Sequence, residues 1–284
     1  MHIALADTLS PSWDLVADIQ ILLHYPFMQN AYLGGTLVAL TAGIMGYFMV
    51  LRSQSFAGHS LANVGFAGAT GAVLFGIPPI VGLFLAGVLA AVGIQTLNLA
   101  AGRSRQSDIA VGAVFTASLA LGFLFLHLAT TEYAANVYNV LFGNPLGISA
   151  ADVGIIFWST LVLVGALLLI ARPLFFASID PDVAAARGVP VRALALVYLV
   201  LLALVVAVAV QVVGVLLIFA LLVTPAAIAQ HITTRPAVAA AIAVALALVF
   251  TWVGLAVGYF TPYPVGFFIT SFAFGTYVLV RGGG

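Results

Sequence analysis

Apolar residues run through this chain in nine long stretches: 25–51, 55–76, 79–101, 109–128, 151–171, 193–211, 214–230, 236–260 and 264–281. A helix crosses the hydrocarbon core of a bilayer in about 20 such residues. The pattern therefore predicts an all-α, polytopic membrane helix bundle of about nine transmembrane helices. The junctions at 52–55 and 211–214 are very short. Segments 193–230 read equally as one bent hairpin or a broken helix, so eight spans is the alternative count.

The polar positions are as ordered as the apolar ones. Lysine is absent, and all eight basic residues are arginines at the ends of spans or between them: Arg52, Arg103, Arg105, Arg172, Arg187, Arg192, Arg235 and Arg281. With the N-terminus outside, the junctions at 52, 102–108, 172–192, 231–235 and 281 all face inward. The outer connections around Pro78–Pro79, Gln211–Gly214 and Thr261–Pro264 carry no charge, and the connection 129–150 carries only Glu132 and borders Asp152. Inner loops gather arginine because moving cations across a membrane is unfavourable. One orientation, N-terminus outside and C-terminus cytoplasmic, thus accounts for every arginine. Residues 1–24 hold Asp7, Asp14 and Asp18 and lack a basic start. They read as an extracytoplasmic tail rather than a signal peptide, ahead of a transmembrane domain at 25–281.

Composition narrows the function. Only 6% of residues are charged, against about 25% in soluble domains, so lipid must cover much of the surface. With no cysteine, disulfides and thiolate ligands are excluded. A net charge of zero argues against a nucleic-acid partner. Without lysine there is no phosphate-loop lysine, so this chain does not itself hydrolyse ATP. No HExxH or GxSxG motif occurs, which leaves an intramembrane enzyme as the least favoured class. The spans are nearly free of acids, which disfavours a proton- or sodium-coupled carrier. A transporter built this way must borrow its energy.

Small residues form stripes at helical spacing. Gly35, Ala39, Ala42 and Gly46 lie on the first span, and Gly58, Ala62, Gly65, Ala69, Ala72 and Gly76 on the second. Spacings of three and four put each set on one face and let neighbouring backbones approach closely.

The second span also carries the candidate chemistry. His59, Asn63, Phe66 and Thr70 recur at spacings of 4, 3 and 4, on a face beside the glycines. An imidazole and a carboxamide one turn apart inside a membrane either bond to another helix or line a substrate path. His127 and His231 stand at span ends and read as interfacial. Thr224 and Pro225 interrupt the seventh span. The proline removes the hydrogen bond to the Leu221 carbonyl, so a kink is expected, and the pair is counted with the substrate path.

A long inner loop at about 173–192 has helix punctuation of its own. Asp180 suits an N-cap, Pro181 the first helical position and Asp182 the positive end of the helix dipole. Three alanines propagate the turn, Arg187 suits the C-terminal end and Gly188 stops it. A short, stiff cytoplasmic helix is predicted at about 181–187.

These residues resemble the membrane permeases of ABC importers for zinc, manganese and iron. The resemblance covers roughly 25–281. It rests on Tyr25-Pro26-Phe27-Met28-Gln29-Asn30, Val50-Leu51-Arg52, Ser55-Phe56-Ala57-Gly58, Leu141-Phe142-Gly143-Asn144, Asp180-Pro181-Asp182 with Gly188-Val189, and Leu221-Leu222-Val223-Thr224-Pro225-Ala226-Ala227. It implies a type II ABC-importer-like permease in a bacterial cytoplasmic (inner) membrane, with no permanently bound cofactor. It further implies a second copy of the chain, separate ATPase subunits docked on the inner loop, and an extracytoplasmic metal-binding protein. The 181–187 helix, with Asp180, Pro181, Asp182, Arg187 and Gly188, would be the coupling helix. In the family, Asp and then His occupy the positions held here by His59 and Asn63, and a Pro-Gly becomes Ala67-Gly68. His59 and Asn63 are thus the candidate contacts for a transported divalent metal. Imidazole suits zinc and manganese prefers oxygen, which puts zinc ahead of manganese. A related permease for a metal chelate or small organic solute is the alternative, and an ATP-independent carrier or channel stands further back.

Overall fold

The structure, a computed structural model, describes Leu22 and residues 24–101, 107–128 and 143–282. The three acids of the tail, Arg103, Arg105, Glu132 and the Leu141–Phe142 pair lie outside the described residues. Among the described residues ten α-helices follow one another: α1 (Pro26–Leu51), α2 (Ser55–Leu74), α3 (Pro79–Ala101), α4 (Ser107–Leu128), α5 (Ala150–Ile179), α6 (Pro181–Ala186), α7 (Val191–Val213), α8 (Val215–Ile232), α9 (Pro236–Phe260) and α10 (Val265–Gly282). A single 3-10 turn at Pro145–Gly147 precedes α5, and no strand occurs among the described residues.

The expected count of nine spans needs correction. Seven described helices are long and apolar enough to cross a membrane: α1, α3, α4, α5, α7, α9 and α10. Of the remaining three, α2 and α8 stand where spans were expected but differ in character. The α2 helix carries His59, Ser60, Asn63 and Thr70 among glycines and alanines, which dilutes its hydropathy. Most of its residues are buried by other helices, so it has little lipid to match. The apolar part of α8 is short, Leu217–Ile232.

Burial separates an inner group of helices from an outer one. In α1 and α7, 67% of the apolar window is buried inside the protein, against 17% in α4 and 22% in α5 and α10. The small-residue stripe explains why α1 can sit centrally. A β-carbon at Gly35 would lie 2.9 Å from the Thr251 side chain of α9, and one at Gly43 would lie 2.6 Å from the Val244 Cα of the same helix. Gly46 backs directly onto the Leu222 carbonyl of α8. Close backbone approach of this kind is how helices gain packing where lipid removes the hydrophobic drive. Polar ties add to it: Trp252 Nε1 donates to Thr36 Oγ1 at 2.9 Å, and Gln230 Nε2 to the Tyr47 carbonyl at 3.0 Å.

One boundary differs from the sequence expectation. The fifth stretch was expected to end at 171, yet α5 continues as helix to Ile179 and runs through Pro173. The proline forfeits one hydrogen bond, but Leu174 and Ala177 beyond it are buried at 0% and 3% exposure. Tertiary packing outweighs the local break. The 193–230 region forms two separate helices, as the stretches 193–211 and 214–230 predict. Gly214, at φ +79, separates α7 from α8. Gly143, also left-handed at φ +74, packs against the Val213–Gly214 backbone. A side chain at Gly143 would have no room there.

Candidate substrate path and coupling segment

His59 lies one turn into α2, where α2 meets α4 and α8. Its ring stands edge-on to Phe219 of α8 at 5.1 Å and beside Phe115 of α4 at 5.8 Å. Its Nδ1 is buried with no hydrogen-bond partner. Its Nε2 is 3.4 Å from Asn63 Nδ2, which also donates to the His59 carbonyl at 2.9 Å. Both side chains are half-buried. The two thus share a face, as the four-residue spacing requires. They offer an imidazole nitrogen and a carboxamide. No group of three or more His, Cys, Asp or Glu able to hold a metal occurs among the described residues. The pair suits passing contact with a cation rather than a closed, permanent site.

Phe66 and Thr70 make a different contact. Phe66 is 2% exposed and meets Phe123 of α4 edge-on at 5.7 Å. The Thr70 hydroxyl donates to the Phe66 carbonyl at 2.9 Å and approaches the Gly122 carbonyl of α4 at 3.5 Å. Both lie where α2 packs against α4. Thr224 is half-buried and Pro225 buried within α8. The Leu221 side of that helix, where the proline leaves a carbonyl without its helical donor, is packed inside the protein. Phe115 and Phe219, which flank the imidazole, gave no signal in the sequence. Each is one apolar residue in an apolar run.

The coupling segment has the punctuation expected of it. Asp180 Oδ1 accepts from the Val183 amide at 3.0 Å and caps α6, with Pro181 opening the helix. At the other end, Gly188 N–H donates to the Ala185 carbonyl and Val189 N–H to the Ala184 carbonyl, each at 3.0 Å. That pair of bonds is a Schellman stop, and Gly188 supplies its left-handed residue at φ +85. The Arg187 guanidinium lies 5.7 Å over the Phe176 ring of α5, and Ala184 is fully buried. Asp182 and Val183 remain exposed, so α6 rests on the bundle by one face and presents the other.

The sequence matches the ABC 3 transport family over residues 24–281. It is 30% identical over 215 residues to the manganese transport system membrane protein MntC of Listeria monocytogenes, covering 75% of each chain. It is 30% identical over 207 residues to the chelated iron transport system membrane protein YfeD of Yersinia pestis, covering 72% of this chain and 68% of that protein. Among solved structures, PsaBC from Streptococcus pneumoniae in complex with Fab superposes with a TM-score of 0.82 at 27% identity, over 94% of this chain and 95% of that one. The fold, the family match and the relatives agree, and the chain belongs to the ABC 3 transport family of metal-importer permeases.

Proposed function

We propose that this chain forms, with a second copy of itself, the membrane pathway of an importer for a divalent transition metal. A separate ATP-binding-cassette ATPase binds the exposed face of α6, and an extracytoplasmic binding protein delivers the metal. The N-terminus is outside and the arginine-rich ends are cytoplasmic, in a bacterial inner membrane. Access to the path alternates as ATP binding moves the coupling segment. Metal passes His59 and Asn63, and Thr224 and Pro225 mark the neighbouring helix of that path. The observation that carries this reading is the buried, unpartnered Nδ1 of His59 between two aromatic rings. A polar atom left so in a membrane protein is costly unless function uses it.

Manganese is the first reading of the metal, because MntC is named for it. Zinc is the second, favoured by the imidazole itself, which suits zinc better than it suits manganese. The experiment is reconstitution with the ATPase and binding protein, measuring manganese- and zinc-stimulated ATP hydrolysis and uptake. His59→Ala should abolish stimulated uptake while the complex still assembles. His59→Asp should retain uptake and shift preference toward manganese, since a carboxylate is the harder ligand. Parent-like uptake of both metals by His59→Ala would remove the pair from the path.

A further inference from the structure

A cavity of about 670 Å³ opens beneath the start of α2. Its lining includes Ser178 and Pro181, at the end of α5 and the start of the coupling helix, and Gln54 and Ala57, at the start of the helix that bears His59, along with residues of α3, α4 and α7. Arg52 reaches across that space. Its Nη1 donates to Ser178 Oγ at 3.1 Å, two residues before the Asp180 cap of α6. Its Nε donates to Gln54 Oε1 at 3.4 Å, at the N-cap of α2. Its guanidinium carbon lies 5.1 Å over the ring of Tyr198 in α7. Ser53, next in the chain, is held left-handed at φ +53, a conformation that β-bearing residues adopt only when their surroundings impose it.

We infer that Arg52 is the positioning residue through which movement of the coupling segment reaches the helix carrying His59. The inference rests on the permease reading above and deepens it. Three features support it. The planar guanidinium can bond two partners at once while stacking on a third. The junction from α1 to α2 is three residues long, so displacing Arg52 displaces the first turn of α2. The open volume at this junction leaves the segment room to move. The Tyr198 ring is a platform only: the residue is 0% exposed and its hydroxyl has no hydrogen-bond partner.

The test uses the whole transporter, permease with ATPase and binding protein, in proteoliposomes. Three quantities are read: assembly with the ATPase, basal hydrolysis, and metal moved per ATP hydrolysed. Arg52→Gln and Ser178→Ala should both assemble and hydrolyse ATP at the parent's basal rate. A charge-assisted hydrogen bond is worth about tenfold in an equilibrium, so metal moved per ATP should fall by about that factor in each. The double variant should be no worse than Arg52→Gln alone, because both delete one link. Tyr198→Phe should behave as the parent, since ring and not hydroxyl holds the guanidinium. Tyr198→Leu should lose coupling. If Arg52→Gln fails to insert, Ser178→Ala, which deletes a single hydroxyl, carries the test. The inference is overturned if Ser178→Ala moves as much metal per ATP as the parent, or if basal hydrolysis and assembly fall while that ratio holds. A parent showing no metal-stimulated hydrolysis would instead overturn the importer reading.

Discussion

At the scale of single residues, small side chains decide where the helices can lie. Gly46 of α1 packs directly on the Leu222 carbonyl of α8, three residues before Pro225. A methyl group there has nowhere to go, because what it meets is backbone and not a flexible side-chain tip. Gly46→Ala should therefore push α1 from α8 and destabilise the bundle by about 1–3 kcal/mol, the usual cost of overpacking. Thermal unfolding of the purified permease would show the loss. Gly93, by contrast, faces open space. Gly93→Ala should unfold at or above the parent's temperature, since alanine favours the helix by about 1 kcal/mol. Equal melting of the two variants would mean that the contact at Gly46 is not tight.

At the scale of elements, α6 is the helix whose ends matter most. It is six residues long, too short to persist without its caps. Its stop depends on Gly188 at φ +85, where a β-carbon would meet no atom within 4 Å. Any cost of substitution there comes from the backbone alone. Gly188→Val should strain the stop by about 1–2 kcal/mol, the cost of a left-handed β-bearing residue. Gly188→Asn should be milder, because asparagine visits that region readily. The valine variant should insert normally, with transport and stimulated hydrolysis falling together, and asparagine should recover part of both. Normal transport with valine would show that the stop of α6 transmits nothing.

At the scale of the whole molecule, the arginine distribution predicts one orientation in the membrane. Single cysteines in this cysteine-free chain give a clean reading of that orientation. Ala185 and Thr234 lie at exposed positions at the arginine-bearing ends, and Tyr263 is 62% exposed at the opposite, uncharged end. Ala185→Cys and Thr234→Cys should react with an impermeant maleimide only in inverted vesicles, and Tyr263→Cys only in intact cells. Labelling of Thr234→Cys from outside would reverse the map. None of these changes removes an arginine, so the charge pattern that sets the orientation stays intact.

Much of this protein is decided by residues close to one another in the chain. Helical stretches, the caps of α6 and the turn at Gly188 depend on partners within about five positions, and local sequence contains them. The pairing of His59 with Asn63 is legible for the same reason, because four residues make one helical turn. What lies outside that range was settled by packing. The sequence grouped Phe66 and Thr70 with His59, but only the position of α4 assigns them to an interhelical contact. It placed a loop after 171, but burial of Leu174 and Ala177 carries α5 on to Ile179. It read close packing from the small residues of α2, but which helices cover that helix came from elsewhere in the chain. The bond from Arg52 to Ser178 joins positions 126 residues apart. A helix's own sequence specifies that it forms and how it ends. Which of its faces meets lipid, and which meets another helix, depends on surfaces supplied from elsewhere in the chain.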